Sequence, residues 1–161
     1  GSIETINIVN DDTDTTLATT MVDLNMDAAA ATTINVSGDI GITFANGTHA
    51  NVTTMDASGV TATTSGGAVT FTSGSGSDTT ITGGAGNDAL TGGAADDTIS
   101  GGVGVDTLTG AAGADTISGG AGVDRLVGGT GADTNLEAND INLVGSVNGT
   151  LNVATDVIMI A

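Results

Sequence analysis

At 161 residues the chain is long enough for one domain or for one elongated stack of repeats, and 27 Gly, two Phe and no Pro, Trp or Tyr leave too few large side chains to fill a wide core. Nineteen acidic residues against the single base Arg125 give a formal net charge of −18, which excludes nucleic acid as a partner and points to cations. The absence of Cys excludes disulfides and thiolate chemistry, and 39% hydrophobic content with a mean hydropathy of +0.25 argues against a disordered chain.

Gly1-Ser2 is too short to be a targeting sequence, and no apolar run approaches the roughly 20 residues of a membrane span. Residues 3 to 73 are Thr-rich. Alternating runs there predict strands at Glu4-Thr5-Ile6-Asn7-Ile8, Met21-Val22-Asp23-Leu24-Asn25-Met26, Thr33-Ile34-Asn35-Val36, Val52-Thr53-Thr54-Met55 and Ala68-Val69-Thr70-Phe71. β-Branched residues alternating with polar ones suit a half-buried sheet. The one stretch with helical character is Met26 to Ala31. Ile34 to Val52 is 18 residues and Val52 to Val69 is 17, close to two nonapeptides, which suggests coils of one circumference continuing along the chain.

Between these runs, Asp11, Asp12 and Asp14 form a polar loop, read as solvated, with a cation site as the alternative. His49 follows the turn-like Ala45-Asn46-Gly47-Thr48 and has no Cys or clustered Glu nearby, so it reads as a surface loop residue. The Asn-x-Thr patterns at Asn46, Asn51 and Asn148 are what a chain rich in Asn and Thr contains by chance.

From Gly83 a period of nine runs without insertion through six units: GGAGNDALT, GGAADDTIS, GGVGVDTLT, GAAGADTIS, GGAGVDRLV and GGTGADTNL, ending at Leu136. Position six is Asp88, Asp97, Asp106, Asp115, Asp124 and Asp133. Position eight is Leu90, Ile99, Leu108, Ile117 and Leu126, then Asn135, where the loss of the apolar residue marks the end of the stack. Gly74 to Thr82 reads as a degenerate first unit with Thr79 at position six. Beyond the array, Ile141 to Val144, Leu151 to Val153 and Val157 to Ile160 read as closing strands. The chain thus divides into a Thr-rich solenoid segment (1–73), a β-roll (74–136) and a C-terminal β cap (137–161).

In each unit the first six residues suit a turn, because Gly tolerates positive φ, and the last three a short strand with one apolar residue inward. Two units make one coil of 18 residues. Asp88, Asp106 and Asp124 then stack on one edge, and Asp97, Asp115 and Asp133 on the other. Parallel coils stand about 4.8 Å apart, and calcium takes six to eight oxygens at about 2.3 to 2.6 Å, so an ion between coils reaches a carboxylate from each, with turn carbonyls completing its shell. Without ions, like charges about 5 Å apart repel by roughly 3 kcal/mol. One buried Leu or Ile per unit contributes about 1.5 to 3 kcal/mol, against about 1 to 2 kcal/mol for ordering each of nine residues. The array is therefore expected to fold only with calcium. Pairing at 18 residues gives four bridged sites, Asp88 with Asp106, Asp106 with Asp124, Asp97 with Asp115 and Asp115 with Asp133; end sites raise the expectation to about four to six ions. Ala95 at position four and Ala111 at position two mark the weakest turns if positive φ is required there.

The array resembles the RTX calcium-binding β-roll, with G-G-x-G-x-D-x-U-x as its signature. The whole chain is similar to the C-terminal part of bacterial surface-layer proteins exported by type I secretion. That wider likeness rests on Ile3 to Ile8, Met55-Asp56-Ala57-Ser58-Gly59-Val60, Ala68 to Phe71, the repeats, and the apolar tail Asp156 to Ala161. The resemblance implies an all-β, right-handed parallel β-solenoid with two nonapeptides per coil. It also implies calcium held by the six aspartates together with carbonyls of positions two and four: Gly84, Gly86, Gly93, Ala95, Gly102, Gly104, Ala111, Gly113, Gly120, Gly122, Gly129 and Gly131. It further implies secretion to the bacterial cell surface, calcium-driven folding outside the cell, self-association into a surface lattice, and cell-surface polysaccharide as a further partner. The alternative is an accessory module that assists export and folding of a secreted adhesin or hydrolase. Catalysis is not expected: no base stands near a Ser or Thr nucleophile, there is no phosphate-loop Lys, and the paired carboxylates are those assigned to calcium.

Overall fold

The computed structural model describes residues 4–11, 22–24, 30–44, 49–63, 65–136 and 141–142. The chain winds into a parallel solenoid in which successive strands alternate between two stacked seven-stranded sheets. The first holds, in spatial order, β1 (Thr5–Asn10), β3 (Thr33–Gly38), β5 (Thr54–Val60), β7 (Thr80–Thr82), β9 (Thr98–Val103), β11 (Thr116–Ala121) and β13 (Thr134–Leu136). The second holds β2 (Val22–Leu24), β4 (Ile42–Phe44), β6 (Val69–Thr72), β8 (Ala89–Thr91), β10 (Thr107–Ala112), β12 (Arg125–Thr130) and β14 (Ile141–Asn142).

Every pairing is parallel, as the two-units-per-coil reading requires. In β3 the buried Ile34 and Val36 alternate with the less buried Thr33, Asn35 and Ser37, the period-two pattern of a sheet with one buried face. The core is one continuous column pair running from Ile34 to Leu126. Within the array it narrows to one large side chain per unit: Ile81, Leu90, Ile99, Leu108, Ile117 and Leu126.

Three expectations are corrected. First, the coils of the Thr-rich segment are longer than two nonapeptides. Bonded partners lie 28 residues apart between Asn7 and Asn35 and 21 apart between Thr32 and Thr53, and 18 only in the array. Ile34 pairs with Met55 rather than with Val52, with a register shift between Asn35 and Ser37. A solenoid coil needs only its strands in register, so extra chain is accommodated in the turns, as at the 3-10 turn Ser65–Gly67.

Second, Asn135 does not end the stack. A ladder is made of backbone groups, which Asn supplies as well as Ile, so β13 pairs with β11 and β14 adds a rung beyond it. In the ladder register Asn135 falls opposite Ile117 and Asn142 opposite Leu126. The other closing runs lie outside the described residues, as do most of the Met26 to Ala31 stretch, Asp12 and Asp14; Asp11 is exposed. β4 had no counterpart among the predicted strands.

Third, His49 is buried, at 1% exposure, not a surface residue. Its ring lies 5.7 Å edge-on from Phe44 and 5.1 Å from Phe71, closing a three-ring cluster with the two phenylalanines of the chain. The wide Thr-rich coils have an interior that Val and Ile cannot fill, and an imidazole serves there as an aromatic plug. Burial pushes its pKa below the usual imidazole value, an effect only partly offset by the Thr72 backbone. A depressed His pKa means that the folded state resists protonation, so stability is lost as pH falls below about 6.5. Acid unfolding of the Thr-rich segment should therefore move to lower pH in His49→Phe, followed by near-UV and far-UV circular dichroism. An unchanged midpoint would show that the imidazole contributes nothing to it.

Candidate metal centre

The expected division of each unit into six turn and three strand residues is adjusted in four of the strands. β9, β10, β11 and β12 run six residues, through positions seven to nine and on into positions one to three of the next unit. The sharp turn is confined to positions four to six. Position-one glycines are required by space rather than by φ: a Cβ on Gly101 would overlap the Asp106 carboxylate and the Gly119 carbonyl, one on Gly92 those of Asp97 and Gly110, and one on Gly110 those of Asp115 and Gly128.

Positive φ occurs at positions two and four of the last four units: Gly102, Ala111, Gly120 and Gly129, then Gly104, Gly113, Gly122 and Gly131. Gly84, Gly86, Gly93 and Ala95 in the first two units do not share it. Of the two alanines singled out, only Ala111 carries the strain, at φ 86°. A left-handed conformation costs an L-residue about 1 to 2 kcal/mol, less the added chain entropy of Gly, so Ala111→Gly should stabilise the folded array by about 1 kcal/mol in urea denaturation with calcium. Ala95→Gly should give no such gain.

The six aspartates assemble into the two expected columns, 18 residues per step, and all are buried, between 1% and 6% exposed. Asp88 N–H donates to Asp106 Oδ1 at 2.7 Å and Asp106 N–H to Asp124 Oδ1 at 2.7 Å. In the other column Asp97 N–H donates to Asp115 Oδ1 at 2.8 Å and Asp115 N–H to Asp133 Oδ1 at 3.0 Å. The columns begin on uncharged residues: Val69 N–H donates to Asp88 Oδ1, and Thr79 N–H to Asp97 Oδ1, each at 2.7 Å. Thr79, buried at position six of the degenerate unit, shares a hydroxyl network with Ser73.

The second carboxylate oxygens divide. Asp88 Oδ2 accepts from Gly84 N–H at 2.8 Å and Asp97 Oδ2 from Gly93 N–H, whereas Asp115 Oδ2 and Asp124 Oδ2 are buried with no hydrogen-bond partner. The position-two and position-four carbonyls face the next coil: those of Gly84, Gly86, Ala95, Gly102, Gly104, Ala111 and Gly113 lie against the Cα of the residue 18 further on. Gly84 O and Gly93 O also accept ladder bonds from Val103 and Ala112. Among the described residues no three His, Asp or Glu side chains come together as a metal-holding group, so an ion here would draw on two carboxylates at most and on carbonyls for the rest.

At Asp88 and Asp115 burial, not mutual repulsion, is the larger electrostatic cost. It pushes the Asp88 carboxyl up to about 6, against two backbone N–H groups that lower it. Asp115 is raised first by burial and then by the charges of Asp97, Asp133 and Asp96, with the Asp97 N–H acting the other way. Removing carboxylates from water is unfavourable unless a counter-charge or full hydrogen bonding accompanies them. One Arg in the whole chain cannot supply it. Orphaned, buried, hard oxygen atoms beside turn carbonyls fit a hard divalent cation.

Two contributors escaped the sequence reading. Asp96 Oδ1 accepts from Ala114 N–H at 2.7 Å and Asn87 Oδ1 from Val105 N–H at 3.0 Å, so position five ties one turn to the next coil. Asx at position five was visible, but only the stacking gives it a partner.

Fold and site together define a parallel β-roll built on nonapeptides. Residues 73–108 and 100–134 match the family described as RTX calcium-binding nonapeptide repeat (4 copies). No curated protein matches the chain.

Proposed function

We propose that residues 74–136 bind about four calcium ions in two rows, each ion bridging aspartates of neighbouring coils. The ions pair Asp88 with Asp106, Asp106 with Asp124, Asp97 with Asp115 and Asp115 with Asp133, and turn carbonyls of positions two and four complete their shells. The observation that carries this reading is the pair of buried aspartate columns with oxygens left unpartnered at Asp115 and Asp124. Uncharged Val69 and Thr79 at the head of the columns argue against further ions there. Calcium would supply charge neutralisation and a bridge between coils; the chain supplies the register.

On this reading the protein is a structural, non-catalytic module that folds outside the cell, where calcium is abundant, with the segment 1–73 as a solenoid base and 137–161 as a cap. Its larger role is as part of a secreted surface-layer protein that self-assembles at the bacterial cell surface. Composition supports this: a long Thr- and Ala-rich solenoid with no Cys precedes the array. Electron microscopy of the calcium-loaded protein should show ordered two-dimensional sheets. A folded, permanently monomeric protein would instead favour an accessory role in export of a larger secreted adhesin or hydrolase. Titration calorimetry should return four ions; one or none would refute the bridged columns.

A further inference from the structure

Residues 73–82 repeat the turn and strand of a nonapeptide unit without its buried charge. In the first two units of the array the position-two N–H donates to the carboxylate at position six, Gly84 to Asp88 and Gly93 to Asp97. In the degenerate unit Ser75 N–H, at position two, donates instead to Ser73 Oγ at 3.1 Å. Ser73 Oγ lies 3.2 Å from Thr79 Oγ1, and the Thr79 hydroxyl donates to the Ser77 carbonyl at 3.2 Å. With its own proton used there, Thr79 accepts from Ser73, and the bonds run one way from Ser75 N–H through two hydroxyls to Ser77 O.

Two neutral hydroxyls thus stand where the array has a carboxylate. Ser73, Ser75 and Thr79 are buried, and Asp78, the one ionisable residue of the unit, is exposed. Buried polar groups that are neutral and partnered carry none of the cost that asks for a cation at Asp115 and Asp124.

The unit is also bonded on both sides. Toward the Thr-rich coils, Thr80 N–H donates to Thr53 O at 2.9 Å and Ile81 pairs with Met55. Toward the array, Thr98 N–H donates to Thr79 O at 2.9 Å and Ile81 pairs with Ile99. A Cβ on Gly93 would overlap the Ser75 carbonyl, just as one on Gly102 would overlap that of Gly84 and one on Gly120 that of Gly102. The degenerate unit therefore offers the first array turn on its edge the same seat that one array turn offers the next.

We propose that residues 73–82 stay folded without calcium and are the template on which calcium folds the array, an inference that rests on the calcium-dependent folding proposed above. A coil that folds onto a formed neighbour gains ladder bonds and burial as it orders, whereas a coil with no neighbour pays the ordering entropy without them. A preformed end removes that first step and lowers the calcium needed.

The test is hydrogen exchange of the full chain, read amide by amide by NMR, in excess chelator at about pH 7.5 and again with calcium. In chelator the amides of Ser75 and Thr80, whose acceptors lie in the unit itself and in the Thr-rich coil, should stay protected. That of Thr79, whose acceptor is Asp97, should be released with the array. Protection at Ser75 and Thr80 that appears only with calcium would overturn the template and leave calcium-driven folding of the array standing. An array protected in chelator would remove that reading and the template with it.

Two variants test the cause. Thr79→Asp returns a buried carboxylate to the unit and should make protection of Ser75 depend on calcium; wild-type protection in chelator would overturn the role given to the neutral hydroxyls. Ser73→Ala with Thr79→Val strands Ser75 N–H and Ser77 O, and should raise the calcium midpoint of array folding about two- to tenfold. Titration calorimetry should return as many ions as for the wild type. An unchanged midpoint would overturn the template, and fewer ions would overturn it by making the hydroxyls ligands. If the double variant does not fold with calcium, Ser73→Ala alone is read by the same criteria.

Discussion

Excess chelator at about pH 7.5 should unfold residues 83–136 and leave the Thr-rich coils from Thr33 to Thr72 folded. Hydrogen exchange resolves the two: amides of β9 to β13 lose protection, and those of β3, β5 and β6 keep it. The difference lies in what each coil buries. Coils of the Thr-rich segment enclose Ile34, Val36, Ile42, Phe44, Val52, Met55, Ala57, Val60, Val69 and Phe71, with the His49 ring packed against the two phenylalanines. An array coil encloses two aliphatic side chains, worth about 1.5 to 3 kcal/mol each, and two carboxylates that have left water.

Acid should partly replace the ion. Burial raises Asp88 in the folded state from 3.8 to about 6, so the ion-free fold takes up protons that the unfolded chain does not hold. Stability from this group is full below about pH 4 and disappears as pH rises through about 6. In chelator the array should accordingly be more protected at about pH 5 than at about pH 7.5. Full protection in chelator at the higher pH would refute the calcium requirement. The Thr-rich coils respond in the opposite direction, because His49 resists protonation, and the two halves of the molecule should part company in an acid titration.

Asparagine at Asp106 or Asp115 should weaken calcium-driven folding more than asparagine at Asp88 or Asp133. Asn retains the Oδ1 that accepts the neighbouring backbone N–H, so the substitution tests the charge and not the ladder. Asp106 and Asp115 each belong to two of the proposed bridged pairs, Asp88 and Asp133 to one. Losing a charged partner in a buried site costs about 1.5 to 3 kcal/mol, so the calcium midpoint should rise about 10- to 100-fold per bridge lost. Titration calorimetry should show two fewer ions for Asp106→Asn and Asp115→Asn and one fewer for the end positions. Equal effects at all four would mean that the ions do not bridge coils.

The array was legible in the sequence because its period is rigid. A unit of nine with Asp and an apolar residue in fixed phase allows one stacking, and the structure forms the two columns that this stacking implies. The Thr-rich segment was half legible: alternation placed β1, β2, β3 and β6, but coil length there is set by turns of variable size, which leave no period to count. Reading Val52 as a rung cost the register of β5, since Val52 is buried just before the strand that Met55 enters. His49 was misplaced because its neighbours in sequence are turn residues, whereas its neighbours in space, Phe44 and Phe71, are brought together only by the coil. The aspartates were expected as stacked edge charges; that they are buried, and that each first oxygen takes a backbone N–H from the coil before, needed coordinates.

Two nonapeptides per coil give the molecule an arithmetic of insertion and deletion. Removing 18 residues from the array shortens the roll by one rung in each sheet and returns every later residue to its own face. Removing nine sends every later strand to the opposite sheet. The aspartates still find aspartates, so the metal rows survive the shift, but Arg125 crosses to the first sheet and Thr116 to the second. Length changes in steps of nine can therefore preserve ion binding while altering the face the molecule shows to its surroundings.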